Sequence, residues 1–324
     1  SARVLKTVTV FLAVKGINIK DWYVEFSGTN VTHIGEVTVP ARKLVDICKS
    51  LPEGSNISFK AEDGKVTVRS GRSRFTLSTL PAREFPNVED SMGTHQFTVK
   101  QGQLKRLIDR TGFAMAQQDV RYYLNGLMLE PAGGVLRAVA TDGHRLAMCE
   151  LAADVGESPE QQVIVPRKGV QELQRLLDDS DDAVQVEIGS NHIRITTGEL
   201  RFTSKLIDGR FPDYQRVIPE GADKILGVNR ELLRQALTRT SILSNEKYRG
   251  IRLDISKNIL KIQAHNPEQE EAFEELEVDY NDDSMLIGFN VTYLLDVLGA
   301  IDGANVELHL SDANSSALIT KPGD

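Results

Sequence analysis

Residues 37–51 read VTVPARKLVDICKSL, and residues 163–177 read VIVPRKGVQELQRLL. Each is a short β-branched run, a proline, a basic pair and then apolar residues at helical spacing. A second pair of segments matches at the same distance. RFTLSTLPAREFPNV (74–88) aligns with RFTSKLIDGRFPDYQ (201–215). Pro40 and Pro166 lie 126 positions apart, as do Pro86 and Pro212. Two matches at one offset mark an internal repeat, and a repeat governs the whole fold.

A third copy follows. IGFNVTYLLDVLGAI (287–301) puts Asn290 where the other copies have proline, 124 positions after Pro166. The other half of the unit recurs as well: QLKRLIDRTGFAMAQQDVRYYLNGLMLE (103–130) parallels LLRQALTRTSILSNEKYRGIRLDI (232–255), and LRAVATD (136–142) parallels LKIQAHN (260–266). YVEFSGTN (23–30) reads as the first-copy version of that last strand. The unit is therefore about 125 residues, present three times. The first copy lacks its opening strand and helix. The third stops soon after SSALITKPGD (315–324), before any counterpart of the RFTLSTLPAREFP strand. The expected modules are 1–92, 93–218 and 219–324, with junctions in 89–95 and 218–224.

Periodicity supplies the elements. VTVP, ISFKAE, KVTVRS, RFTLSTL, VQVEIG, HIRITTG and RFTSKLI alternate at period two and are rich in β-branched residues, as strands are. Ala41–Leu51, Gln103–Ala114, Lys168–Leu177, Arg230–Leu243 and Val291–Ile301 carry apolar residues at i, i+3, i+4, as amphipathic helices do. Two helices with many short antiparallel strands per full module make an α+β layer architecture.

Composition narrows the function classes. Of 324 residues 40% are hydrophobic and 26% charged, which excludes wholesale disorder. No apolar run approaches the roughly 18 residues of a membrane-spanning helix. The apolar N-terminal run alternates like a strand and lacks a small-residue cleavage pattern, unlike a signal peptide. Cys48 and Cys149 are too far apart for a zinc spacing and too few for a disulfide framework; two reduced thiols fit a cytoplasmic protein.

The net charge of −8 argues against a uniformly basic nucleic-acid binder, but the charge is sorted. Helices 41–50 (Arg42, Lys43), 102–114 (Lys105, Arg106, Arg110), 167–177 (Arg167, Lys168, Arg175) and 230–242 (Arg230, Arg234, Arg239) each carry a net +2. Together they hold +8, leaving −16 on the rest of the chain. Exposed helix faces are often basic by chance. Four equivalent helices of one sign on an acidic body point instead to a shared track for a phosphate backbone, contacted without base reading. With aromatics at 6% and no zinc-finger, basic-zipper or homeodomain spacing, base stacking and groove readout are disfavoured. A second asymmetry sets Arg69, Arg72, Arg74 and Arg83 of the first module against PEQEEAFEELE (267–277) of the third. An acidic run is often only a solvated face. The alternative is head-to-tail pairing of first with third module, which closes into a ring where the rotation permits.

ATDGHRLA (140–147), QQDVRYYLNG (117–126), VPRKGVQEL (165–173), FTSKLIDGRFPDY (202–214), ILSNEKYRG (242–250) and NPEQEEA (266–272) together resemble the beta subunit of bacterial DNA polymerase III, the sliding clamp. The likeness runs in order from about 36 to 319, while residues 1–35 fit poorly. It implies the DNA-clamp fold, with three similar modules, each of two helices on antiparallel sheets, assembling as a homodimeric ring around duplex DNA. It further implies tethering of the polymerase III alpha subunit, and contact with the clamp loader, other DNA polymerases and repair proteins through Gln-x-x-Leu-Phe peptides. No cofactor, metal or catalytic residue is implied.

By the same resemblance the partner-peptide pocket comprises Arg121, Tyr123, Leu124, Thr141, Gly143, His144, Arg145, Leu146, Pro212, Arg216, Val217, Asn290, Tyr293 and Ser316. Gln118, Arg121 and Tyr122 join the basic helices as DNA contacts. The dimer interface takes Phe85, Ile242 and Leu243, flanked by Arg72, Arg74, Glu270, Glu271 and Glu274. Two other readings of the residues stay open: an acid–base site at Asp142, His144 and Arg145, and a peptide-binding scaffold that forms no ring. Against the enzyme, no HExxH, CxxC or P-loop occurs, and ATDGHR becomes AHNPEQ in the third copy.

Overall fold

The computed structural model describes residues 7–14, 17–25, 37–52, 55–81, 95–156, 161–198, 200–219 and 221–323. The chain opens with β1 (Thr7–Val14), β2 (Ile17–Glu25), β3 (Val37–Thr38), α1 (Ala41–Ser50), β4 (Ser58–Glu62), β5 (Lys65–Ser70), β6 (Ser73–Ser78) and β7 (Leu80–Pro81). It continues through β8 (His95–Lys100), α2 (Gln101–Asp109), β9 (Gly126–Ala132), β10 (Val135–Thr141), β11 (Leu146–Ala152), β12 (Val163–Pro166), α3 (Arg167–Leu176), β13 (Ala183–Ile188), β14 (His192–Thr197) and β15 (Leu200–Lys205). It closes with β16 (Lys224–Asn229), α4 (Arg230–Ser241), β17 (Gly250–Ser256), β18 (Ile259–His265), β19 (Glu271–Glu277), β20 (Met285–Asn290), α5 (Val291–Ala300), β21 (Asn305–Leu310) and β22 (Leu318–Thr320).

The repeat read from the sequence is a structural one. Pro40, Pro166 and Asn290 each stand at the N-cap of a helix, α1, α3 and α5. Proline ends a strand ladder because it has no N–H to donate. Asn290 ends it by capping: its side chain accepts from the Thr292 N–H at 2.9 Å. Sheet order repeats too, as β11-β10-β9-β12 and β19-β18-β17-β20. β2 departs from the pattern. It pairs with β1 and, through Ile19 opposite Phe202 and Asn18 opposite Thr203, with β15. β2 thus extends the β15-β14-β13-β8 sheet, satisfying backbone groups along the open edge of β15; of the YVEFSGTN stretch only Tyr23–Glu25 belong to β2, and 26–30 lie outside the described residues.

Helix boundaries differ from expectation mainly at α2. It begins at Gln101, where Gly102 allows the first turn to lie against the 179–180 backbone; a Cβ there would sit 2.5 Å from Asp179 Oδ1. It ends at Asp109, and Gly112–Ala114 form a separate 3-10 turn.

By packing the chain divides into two compact units. One comprises Ser1–Lys105, Leu129–Arg137 and Leu151–Asp208; the other Arg106–Met128, Ala138–Glu150 and Gly209–Asp324. In the second unit, Leu233, Ala236 and Leu237 of α4 and Val291, Leu294 and Leu298 of α5 are buried in one core with Ile251, Leu253, Ile255, Leu260 and Ile262 of β17 and β18. Each such side chain contributes about 1.5–3 kcal/mol on burial. In the first unit Leu44 of α1 packs with Val66, Val68 and Leu77 of the β4-β5-β6 sheet. Among the described residues no helix is long and apolar enough to cross a membrane.

Candidate functional site

All the pocket candidates fall in the second unit. The reversal from β10 to β11 is built by its own side chains. Thr141 Oγ1 donates to the Arg145 carbonyl at 2.7 Å and accepts from the Gly143 N–H at 3.0 Å. Asp142 Oδ1 accepts from the N–H groups of His144 and Arg145 at 2.9 and 3.0 Å. Gly143 has φ +88°, and a Cβ on it would meet Arg121 Nη1 at 2.8 Å. Glycine is required there for both conformation and space. The Asp142 carboxylate shapes the turn.

Arg121 comes from a loop held by Asp119 and Asn125. The Asp119 N–H donates to Asn125 Oδ1 at 2.9 Å, and Asn125 Nδ2 donates to the Asp119 carbonyl at 2.8 Å. Arg121 donates Nε to Asp119 Oδ1 at 3.0 Å and Nη2 to Oδ2 at 2.8 Å, a bidentate pair. Its Nη2 also reaches the Asp142 carbonyl at 3.1 Å, so Arg121 ties the loop to the turn. Hydrogen bonds from Arg121 hold the Asp119 carboxyl down to about 2. Beyond Arg121 a 3-10 turn carries Tyr122 outward, Tyr123 half-buried and Leu124 inward. Leu124, expected in the peptide pocket, is only 2% exposed and packs into the core beneath the turn.

Arg145 is the centre of this group. Its Nη1 pairs with Asp296 of α5, its Nη2 donates to the Phe113 carbonyl at 3.0 Å and its Nε to Asp142 Oδ2 at 3.2 Å. The guanidinium carbon also lies 4.6 Å from the Tyr293 ring centroid and 5.4 Å from that of Phe113. His144 stacks on Tyr293 at 6.5 Å between centroids. Arg145, expected in the peptide pocket, is thus engaged inside the chain, and Leu146 stands beside it, half-buried. Asn290 caps α5 and donates to the Tyr248 carbonyl at 3.3 Å, which places it in the scaffold of Tyr293.

The remaining candidates form a second group. Val217 is 61% exposed and Pro212 is exposed. Arg216, Val217 and Ser316 line an open cleft of about 610 Å³ with Gln215, Pro219 and Ser311. Gly209, three residues before Pro212, lies under Tyr122 and Tyr123; a Cβ there would meet Tyr122 Cε2 at 3.3 Å. Its lining is mostly polar, and Val217 is an exposed apolar side chain within it.

Family models of the DNA polymerase III beta subunit match in chain order: the N-terminal domain over 12–89, the central domain over 98–213 and the C-terminal domain over 215–324. The beta sliding clamp of Pseudomonas aeruginosa is 62% identical over 285 residues, covering 88% of this chain and 78% of that protein. That of Escherichia coli (strain K12) is 57% identical over 286 residues, with the same shares. The chain belongs to the DNA polymerase III beta-subunit family, the beta sliding clamps. A crystal structure of the DNA polymerase III subunit beta from Pseudomonas aeruginosa superposes with TM-score 0.88 at 54% identity, covering 100% of this chain and 90% of that one. A clamp from the same organism bound to griselimycin gives TM-score 0.87 at 54% identity, covering 100% and 89%. The N-terminal match begins at 12, well ahead of residue 36 where the motif likeness starts.

The clamp's basic helices divide into exposed and committed charges. Lys43, Arg106 and Lys168 are exposed; Gln118, at φ +55°, and Tyr122 are exposed on their loop. The Arg42 side chain lies outside the described residues. Arg167 is half-buried. Arg175 pairs with Glu172 at 3.1 Å, and Arg234 forms a bidentate pair with Glu231, whose carboxyl falls to about 2 through those bonds and one from Gln235. Lys105, expected at DNA, donates Nζ to the Gln174 carbonyl at 2.8 Å. Arg110 pairs with Asp302, holding that carboxyl below its usual range.

The interface candidates are also redistributed. Ile242 is 75% exposed at the end of α4 and Leu243 is half-buried. Along the edge strand β19 exposure alternates, so Glu271, Phe273, Glu275 and Glu277 face outward. Glu274, on the other face, is held by Arg239 at 2.6 and 2.9 Å. A residue expected at DNA and one expected at the dimer contact are therefore partners within one chain, and the Glu274 carboxyl is lowered by that bond. Glu270 closes the hairpin with Asn266. Arg72 and Arg74 are exposed, with Arg74 directly opposite Arg69. Phe85 lies outside the described residues.

Proposed function

We propose that this sliding clamp closes head to tail with a second copy into a ring around duplex DNA, and that it recruits partners through one peptide pocket. As a member of the family it is a DNA sliding clamp, a processivity factor. The observation that carries the pocket is the union of two elements at Arg145: the Thr141–Leu146 turn and the Tyr293 face of α5 are held as one surface. The Arg216, Val217 and Ser316 cleft, mostly polar in its lining, offers Val217 as an exposed apolar contact. The peptides are of the Gln-x-x-Leu-Phe kind, carried by the polymerase III alpha subunit, the clamp loader, other polymerases and repair proteins. Calorimetric titration of one such peptide against wild type and Leu146→Ala tests the pocket.

Ring closure draws support from like charges set face to face. Arg69 and Arg74 stand opposite each other across β5 and β6, a repulsive arrangement alone. The outward glutamates of β19 are complementary to it, and Ile242 supplies an exposed apolar anchor. The modules are taken as 1–92, 93–218 and 219–324. DNA contact through Arg42, Lys43, Arg106, Arg167, Lys168, Arg175, Arg234, Gln118 and Tyr122 is sequence-independent, with a salt slope of about −0.9 per phosphate neutralised. A loaded ring persists on nicked circular DNA and slides off after linearisation; equal retention on both would exclude the topological link. The clamp has no catalytic site of its own and acts in the cytoplasm, in line with its free thiols Cys48 and Cys149. Purified protein is expected to hydrolyse neither ATP nor DNA.

A further inference from the structure

Asp296 is the single charged residue of α5. It sits in the C-terminal half of the helix, where a carboxylate gains nothing from the helix dipole. Its position is accounted for by Arg145, which pairs with it and covers the Tyr293 ring one turn earlier on the same helix face. The other two guanidinium nitrogens are held by Asp142 and by the Phe113 carbonyl, so every nitrogen of Arg145 has an acceptor inside the chain.

We propose that Asp296 is a positioning residue of the partner-peptide pocket: through Arg145 it sets Tyr293 and the Asp142–Arg145 turn at the spacing a peptide requires, without itself touching the peptide. The inference rests on the pocket reading above. Without Asp296, Arg145 keeps its bonds to the turn but meets α5 only through the Tyr293 ring face. Tyr293, on which His144 stacks, then has no fixed distance from Leu146. A preorganised surface becomes one that the peptide must order on binding, and that ordering appears as lost affinity.

The test uses the full chain and a synthetic Gln-x-x-Leu-Phe peptide with alanine at both variable positions. Asp296→Asn, nearly isosteric, is expected to weaken binding about tenfold, while Asp296→Glu restores it to within about threefold. Asp302→Asn breaks the neighbouring Arg110 pair and is expected to leave peptide affinity unchanged. In a Tyr293→Ala background Asp296→Asn should have no further effect, because the residue it positions is gone. Thermal melts of each variant report folding. If Leu146→Ala weakens the peptide and Asp296→Asn does not, the pocket stands and the positioning role is overturned. Equal losses from Asp302→Asn and Asp296→Asn also overturn it, as would an additive loss in the Tyr293→Ala background. If neither Leu146→Ala nor Asp296→Asn matters, the pocket reading itself falls.

Discussion

The turns at 141–146 and 265–271 occupy the same place in two copies of one repeat, yet they do opposite things with charge. In the second copy a two-residue loop, with Gly143 at positive φ, is closed by Thr141 and Asp142 and delivers a cation, Arg145, onto α5. In the third copy a three-residue loop, with Gln269 at φ +66°, is closed by Asn266 and Glu270 and leads into a strand of outward glutamates. The backbone plan is shared; one extra loop residue and the exchange of Gly143 for Pro267 redirect it. The second-copy turn joins α5, as the proposed peptide pocket requires, and the third-copy turn starts a charged edge.

If that division holds, damage on one side should spare the other. The largest effect is expected from Ile242→Ala with Leu243→Ala, on the third-copy side. Hot-spot truncations cost at least about 2 kcal/mol each, so the dimer dissociation constant should rise roughly a thousandfold. Analytical ultracentrifugation reads the shift to monomer, and peptide affinity should stay within error. An unchanged dimer places the interface elsewhere.

Next in size is Leu146→Ala on the second-copy side. Calorimetry should show more than about tenfold weaker peptide binding, with sedimentation unaltered. Wild-type affinity would return the Asp-Gly-His-Arg stretch to an ordinary strand end. Gly143→Ala should cost about 1–2 kcal/mol through its left-handed backbone, and more where Arg121 cannot withdraw. Denaturant unfolding measures it, and a neutral result would mean that the turn relaxes freely.

The smallest effect is a pH dependence. The Asp119 carboxyl, ordinarily near about 4, lies at about 2 when folded. Its contribution is therefore fully present above about pH 4 and is lost as pH falls through about 2. The corresponding loop in the third copy is organised by Asn245, which accepts from the N–H groups of Lys247 and Tyr248 and does not titrate. Carboxyl NMR shifts should give a midpoint near 2 for Asp119, returning toward 4 in Arg121→Ala. A midpoint near 4 in wild type would remove the distinction between the two loops.

What the sequence discloses follows interaction range. The Pro40, Pro166 and Asn290 correspondence was legible because strand ends and helix starts are set by residues a few positions apart. The early start of α2 was not, because Gly102 is there for Asp179 and Ser180, far along the chain. The same limit governs the site. The Thr141–Leu146 turn announces itself by its glycine and its short polar residues. Asp296, Asp302 and Phe113 were missed, since pairing with Arg145 or Arg110 across 151 and 192 positions leaves no local pattern. The nearest signal was a lone acid on the otherwise uncharged α5. Charge counting placed Lys105, Arg110 and Arg239 on a common face without seeing that each had a partner.

Lys105 is nevertheless not lost to the electrostatics of the ring. Its ammonium lies on a carbonyl in the last turn of α3, as Arg230 lies on the Leu298 and Ile301 carbonyls at the end of α5. A helix C-terminus carries the equivalent of roughly half a negative charge, which would repel an approaching phosphate. Each of these cations cancels that pole at its source. In α3 this leaves the exposed Lys168 and Arg175 to attract an anion without opposition from the C-terminal pole of the helix that carries them.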